Sequence, residues 1–136
     1  MMTRGPQRGN LTSSGQQSAT KVSCECWDAF VRDHPEGHFE QTSLWAEVKS
    51  AYGWSSLRFI ERPSPDTRVG AQVLVRRFPI LGRIGYIQSG PILTGEAAGL
   101  GRMAAHLLLD FARRERLTYL VVNPPVPGPD IHQANR

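Results

Sequence analysis

Within residues 39–91 the spacing of apolar side chains changes from helical to extended, and glycine or proline marks each change. The helical part carries apolar residues at three- and four-residue intervals, namely Trp45, Val48 and Tyr52. Thr42 and Ser43 offer hydroxyl groups that can cap the start of such a helix, and Gly53 suits its end. The pattern predicts a helix whose apolar stripe is buried, with Trp45 as its anchor in the core.

The extended part predicts three strands. Alternation over Ser56–Glu61 places Leu57 and Phe59 on one face and Arg58 and Ile60 on the other. A longer extended stretch follows over Val69–Phe78, and another strand over Ile84–Ser89. The connections between the strands, around residues 63–66 and 79–82, are short and rich in proline and glycine, which favours antiparallel pairing.

Helical patterns flank the strands on both sides. Residues 25–34 carry apolar and aromatic side chains at helical spacing, and Pro35 and Gly37 then end the helix. A longer amphipathic helix is predicted from about Gly95 to Glu115. The run Leu117–Val122 is continuously apolar and typical of a strand buried on both faces. The resulting order predicts an α/β (α+β) fold.

Both ends of the chain have compositions that do not favour a packed core. Residues 1–22 contain almost no large apolar side chains, and residues 126–136 continue a proline-rich stretch. We therefore expect a disordered tail over 1–22, one domain over 23–125 and a second tail over 126–136.

The charge and composition exclude few classes of function. The net charge of +4 allows attraction to phosphate-rich ligands, RNA or an anionic membrane surface. No stretch approaches the roughly 18–20 apolar residues that a membrane-spanning helix needs. Cys24 and Cys26 form a C-x-C pattern without a second pair, so reduced thiols are a better interpretation than a zinc site.

Two motifs in this sequence are similar to those of the FemAB family. They are a Trp-x-x-x-Lys helix, Trp45 to Lys49, and the end of the Ile84–Ser89 strand, where the motif runs from Tyr86 to Gly90-Pro91. The resemblance covers residues 27–125, which would be the first of the two acyltransferase-type (GNAT) domains of that family. It implies a mixed, mostly antiparallel sheet flanked by helices and incomplete at its C-terminal side.

The resemblance also implies a function. FemAB proteins transfer an aminoacyl group from aminoacyl-tRNA to the stem peptide of a peptidoglycan precursor in the cytoplasm, without a further cofactor. Both the precursor and aminoacyl-tRNA would then be partners of this chain. Lys49 would contact the diphosphate of the precursor; the alternative is a solvated lysine that lies over Trp45.

Tyr86 and Gly90 complete the substrate-binding residues that the resemblance implies. In the family this strand usually ends in Tyr-x-Pro-Arg-Gly-Pro, whereas this chain has Gln88-Ser89 where the family has Pro-Arg. The exchange removes a cation from the predicted cleft. The alternative is an ordinary strand tyrosine followed by a Gly-Pro turn.

A different enzyme class is favoured by two glycines near the long helix. Gly99 and Gly101 have the spacing with which GNAT enzymes hold the pyrophosphate of acetyl-CoA at a helix N-terminus. Glu96 stands where those enzymes have Gln or Arg, and its carboxylate repels pyrophosphate. An acyl-CoA N-acyltransferase is thus one alternative. His106, spaced four residues from Arg102 and from Asp110, fits a solvated, salt-bridged face better than a general base.

The last alternative is a non-catalytic truncated or split half-protein. The sequence reveals no obvious catalytic residue, and catalysis by this chain alone is doubtful. The run Leu117–Val122 is expected to lie at a sheet edge, because no further strand-forming segment follows it. An apolar edge of this kind predicts self-association or a partner that supplies the missing half.

Overall fold

The computed structural model describes residues 22–95 and 99–125. The predicted order of helices and strands is confirmed, with a short 3-10 helix and one further strand, β4, in addition. The predicted tails over 1–22 and 126–136 lie outside the described residues, except for Val22. The elements are α1 Cys24–Arg32, the 3-10 helix Phe39–Gln41, α2 Ser43–Ser50, β1 Ser55–Ser64, β2 Thr67–Phe78, β3 Gly82–Gln88, β4 Ile92–Thr94, α3 Leu100–Arg114 and β5 Tyr119–Asn123.

The strands form one mixed sheet in the order β1-β2-β3-β5, with β4 paired to β2. The pairs β1–β2, β2–β3 and β2–β4 are antiparallel, whereas β3 and β5 are parallel. A parallel pair needs a crossover connection, and the connection from β3 to β5 contains α3. The predicted α/β class with a mostly antiparallel sheet is confirmed, and the assignment to the GNAT type stays a prediction.

Each face of the sheet is covered by a different helix. On one face α3 packs against Phe59, Val73 and Ile87, and the rings of Phe59 and Phe111 lie 5.0 Å apart. On the other face α1 buries Trp27, Phe30 and Val31 together with Ile92, and Ile60 packs against this cluster. The predicted faces of β1 are therefore confirmed, since Phe59 and Ile60 point into opposite layers.

The helix α2 corrects the predicted burial of its apolar stripe. Its capping is as expected: the Thr42 hydroxyl accepts a hydrogen bond from the Trp45 N–H at 3.3 Å, and Gly53 follows with φ +87°. The stripe itself is not buried, because the small Ala46 faces the fold while Val48 is 45% and Tyr52 69% exposed. Trp45 is half-buried and is not a core anchor. Periodicity shows that side chains share a face, but not that another element covers it.

The strand β5 also differs from its prediction. Only Leu120 and the preceding Leu117 pack against the α3 layer, while Tyr119, Val121 and Val122 are 56%, 49% and 38% exposed. A strand buried on both faces was therefore the wrong interpretation. The expected edge position is confirmed among the strands of the described residues, since β5 is the last of them in the sheet order. No helix within the described stretches is long and apolar enough to span a membrane.

Candidate functional site

The sheet has an opening beside β2, where β3 ends and β4 begins. The strand β2 pairs with β3 from Leu74 onward and with β4 only up to Gly70, both on the same side. Between β3 and β4 the chain turns through Ser89, with φ +49°, and a cis Gly90–Pro91 peptide bond. Among the described residues, positions 71–73 of β2 thus have no strand partner on that side.

The side chain of Gln41 fills this opening. Its Oε1 accepts a hydrogen bond from the Gln72 N–H at 2.8 Å, and its Nε2 donates to the Gln72 carbonyl at 3.3 Å. The same Nε2 also donates to the carbonyl of Gln88, the last residue of β3. Gln41 is fully buried. Its amide group makes the hydrogen bonds to β2 that the backbone of a neighbouring strand would otherwise make.

The 3-10 helix and the start of α2 are thereby fixed against the sheet. The Gln72 side chain donates to the Thr42 carbonyl at 2.8 Å, and the Trp27 indole N–H donates to the Gln41 carbonyl. Asp28 of α1 accepts the Ser43 N–H at 2.8 Å. Hydrogen bonds to α1, β2 and β3, some of them buried, therefore hold this segment, which we call the platform, against the sheet.

Lys49 lies in the last turn of α2, beyond the platform, over the ring of Trp45. The Lys49 Nζ is 4.9 Å from the centroid of the ring, within the range of a cation–π contact. The Trp45 indole N–H donates to the Gln88 Oε1 at 2.7 Å. Trp45 thus connects Lys49 to Gln88 at the end of β3, the strand that contains the predicted Tyr86 and precedes Gly90. A lysine over Trp45 is also what the alternative interpretation describes, so the contact of Lys49 with phosphate stays a prediction.

The two other predicted substrate-binding residues, Tyr86 and Gly90, differ in how deeply they are buried. Tyr86 is half-buried, pairs with Val121 of β5 and shares a sheet face with Gln88 because they are two residues apart. Gly90 is buried, and a Cβ atom there would lie 3.1 Å from the Gln41 amide carbon. We infer that this glycine allows Gln41 to approach, and its contact with substrate stays a prediction.

A carboxylate that sequence reasoning missed lies at the same edge of the sheet. The Ser89 hydroxyl donates to the Glu40 Oε2 at 2.7 Å. The Nδ1 of His38 lies 3.7 Å from the same oxygen and accepts the Glu40 N–H at 3.3 Å. No local pattern signals this pairing, because Glu40 and Ser89 are 49 positions apart.

The glycines proposed for acetyl-CoA lie elsewhere. Gly99 and Gly101 stand at the start of α3, which covers the opposite face of the sheet, and Glu96 lies outside the described residues. Nothing lies within 4 Å of a Cβ added at either glycine. CoA binding there stays a prediction. His106 on the same helix is exposed, as expected, whereas Asp110 pairs with Arg113 at 4.0 Å.

The cysteines carry no sign of a metal site in the described part of the chain. Cys24 and Cys26 are exposed free thiols. Across residues 22–95 and 99–125, no group of three or more His, Cys, Asp or Glu side chains is arranged to hold a metal ion.

Comparisons with known proteins agree on one family. The model of the FemAB family matches residues 22–134. A lipid II:glycine glycyltransferase of Staphylococcus saprophyticus is 32% identical over 111 residues, which cover 77% of this chain and 26% of that protein. The protein of the same name from Staphylococcus aureus is 30% identical over 104 residues, or 73% of this chain and 24% of that protein.

A comparison with solved structures also finds a protein that this chain resembles. The crystal structure of FemX matches with a TM-score of 0.55 and 28% identity, over 69% of this chain and 23% of that one. The chain therefore spans about a quarter of the length of the relatives that it matches.

Proposed function

This chain belongs to the FemAB family, and on that premise we propose that it carries the precursor-binding surface of a transferase that builds peptidoglycan cross-bridges. The names of the two staphylococcal relatives support this class of substrate. Because the chain matches only about a quarter of each relative, the transfer reaction itself belongs to the proposal as well.

The observation that carries the proposal is the position of Lys49. Its ammonium group lies over the Trp45 ring, and that ring is fixed to β3 through Gln88. An ammonium at the edge of an apolar surface is only partly screened by water and attracts phosphate more strongly than a fully solvated lysine does. We assign Lys49 to the diphosphate of the precursor, with Tyr86 on the adjoining sheet face.

The reaction that we propose joins two substrates. A primary amine of the stem peptide, in its neutral form, attacks the ester carbonyl of an aminoacyl-tRNA, the new C–N bond forms and the C–O bond to the tRNA breaks. The proton that the amine loses is balanced by the one that the leaving ribose oxygen of the tRNA takes up. Such a reaction depends on positioning both partners and on stabilising the developing oxyanion. The surface described here would position the amine-bearing precursor. We propose a cytoplasmic location, since aminoacyl-tRNA is a cytoplasmic substrate.

Binding of a soluble precursor tests the proposal directly. In calorimetric titration with a UDP-muramyl pentapeptide, we expect Lys49→Ala to weaken binding by about ten- to a hundredfold, because one charge-assisted contact is lost. Arg113→Ala is the matched control, since it removes one positive charge from α3 on the opposite face. Equal affinity of the parent and Lys49→Ala would show that Lys49 does not bind the precursor.

The same titration separates the alternatives. Binding of acetyl-CoA in place of the precursor would favour an acyl-CoA N-acyltransferase. Binding of the precursor without transfer, when aminoacyl-tRNA is added, would favour a non-catalytic half-protein.

A further inference from the structure

Glu40, which lies beside Ser89 after the end of β3, is a carboxylate without a lysine or arginine partner among the described residues. Its side chain is 24% exposed, and no Lys or Arg nitrogen of the described residues lies within 4.0 Å of it. The neighbouring His38 Nδ1 lies 3.7 Å from Oε2 and also accepts the Glu40 N–H at 3.3 Å. Within the described chain, Glu40 therefore has no ion pair with a lysine or an arginine.

The carboxylate is nevertheless held in one orientation. The Ser89 hydroxyl donates to Oε2 at 2.7 Å, while within the described chain no donor contacts Oε1. Ser89 itself has φ +49°, a conformation that few residues other than glycine adopt. Oε1 is left available to accept a hydrogen bond from a ligand.

A row of aromatic rings links Glu40 to Lys49. The His38 and Phe39 rings lie 4.6 Å apart, and Phe39 meets Trp45 edge to face at 5.5 Å. The Lys49 ammonium then lies over Trp45. Phe39 is 60% exposed, so this row is open to a ligand. The surface presents a cation, apolar rings and a carboxylate in sequence, which complements a ligand with an anionic and a cationic end.

We propose that Glu40 binds the free primary ammonium group of the ligand whose phosphate groups Lys49 contacts. The ligand class is a diphosphate-linked peptide that bears a side-chain amine. This inference rests on the proposed function and extends it, because it assigns a recognition site to the acceptor amine. Ser89 acts as a positioning residue, since it orients the carboxylate without touching the ligand.

A pair of ligands tests the inference on the unmodified protein. One is a UDP-muramyl pentapeptide with lysine in the stem, and the other is the same compound with the lysine amine acetylated. We expect the parent protein to bind the free amine about ten- to a hundredfold more tightly, because acetylation removes a charge-assisted hydrogen bond.

Variants then identify the residue that causes the preference for the free amine. Glu40→Gln keeps an acceptor for the Ser89 hydroxyl but loses the negative charge, so it is expected to bind both compounds with the affinity that the parent has for the acetylated one. Ser89→Gly, which suits the positive φ, is expected to reduce the preference in part. Glu47→Gln on the exposed side of α2 is the matched control and keeps the full preference.

Three outcomes overturn the inference, and the first two are distinguishable from failure of the proposed function. If the parent binds both compounds equally and Lys49→Ala still weakens both, the proposed function stands and the role of Glu40 is wrong. If Glu40→Gln, folded as judged by circular dichroism, retains the preference, the amine is recognised elsewhere. If the parent binds neither compound, both proposals fall together.

Discussion

Gln41 shows how a single side chain can complete a sheet. Its amide group makes three hydrogen bonds to the backbone of Gln72 and Gln88, and it is fully buried. The sequence offered no signal for this role, because a glutamine before a helix is ordinarily a surface residue. The opening that it fills exists only once β3 and β4 have both paired with β2.

Replacement of Gln41 by leucine tests this role. The variant leaves the N–H and carbonyl of Gln72 and the carbonyl of Gln88 buried without partners, so we expect the free energy of unfolding to fall by about 3–5 kcal/mol. Urea denaturation followed by circular dichroism measures the change. In the control Gln88→Leu only the bond from Trp45 is lost, at a cost of about 1 kcal/mol. Similar stability of both variants would contradict the role of Gln41.

The candidate site was predictable at some residues and not at others. The Trp45-to-Lys49 spacing predicted that the two side chains share a helix face, and the cation–π contact is consistent with this. Glu40 and Ser89 meet only because the platform brings the 3-10 helix against the end of β3. Sequence patterns detect neighbours along an element, whereas this contact joins two elements.

At the scale of elements, the predictions succeeded where a segment is long and strongly periodic. α1 and β2 lie close to their predicted bounds, whereas α3 ends as predicted but begins at Leu100 rather than at about Gly95. β4 was missed because its three residues are too few to show alternation, and the proline before it indicated a turn. The burial of α2 and β5 was overestimated for one reason: an apolar face reveals nothing about what covers it.

The packing of α1 on the sheet depends on a glycine in β2. A Cβ atom at Gly70 would lie 2.5 Å from the Phe30 ring, so Gly70→Ala is expected to destabilise the protein by about 1–3 kcal/mol. Gly101→Ala is the control, because nothing lies within 4 Å of its added Cβ and alanine favours the first turn of α3. Thermal unfolding compares the two. A melting temperature for Gly70→Ala equal to that of Gly101→Ala would mean that α1 packs less closely.

At the scale of the whole molecule, two apolar surfaces lack a cover among the described residues. One comprises Val48 of α2 and Tyr52 just after its end, and the other is the edge strand β5, with Val121 exposed on one face and Val122 on the other. The chain matches about a quarter of its relatives' length, so the relatives have further sequence for which this chain has no matched counterpart. We propose that the open edge at β5 recruits a second strand.

We expect self-association through that edge. We expect sedimentation over a concentration series to reveal association of the parent protein and its suppression by Val121→Lys, because a charged residue on an edge strand opposes pairing. Ile80→Lys, at the fully exposed tip of the β2–β3 hairpin, makes the same chemical change away from β5 and should leave association intact. A strictly monomeric parent at high concentration would refute the expectation.

The filled opening beside β2 has a consequence for the exchange of backbone protons. In an ordinary sheet, a buried amide proton is protected by the neighbouring strand and exchanges with solvent when the strands separate. The Gln72 N–H is protected by a side chain from the 3-10 helix instead. Its exchange rate therefore depends on how readily the platform, together with the α2 residues Trp45 and Lys49, separates from the sheet. One amide signal then measures the opening of the proposed binding surface.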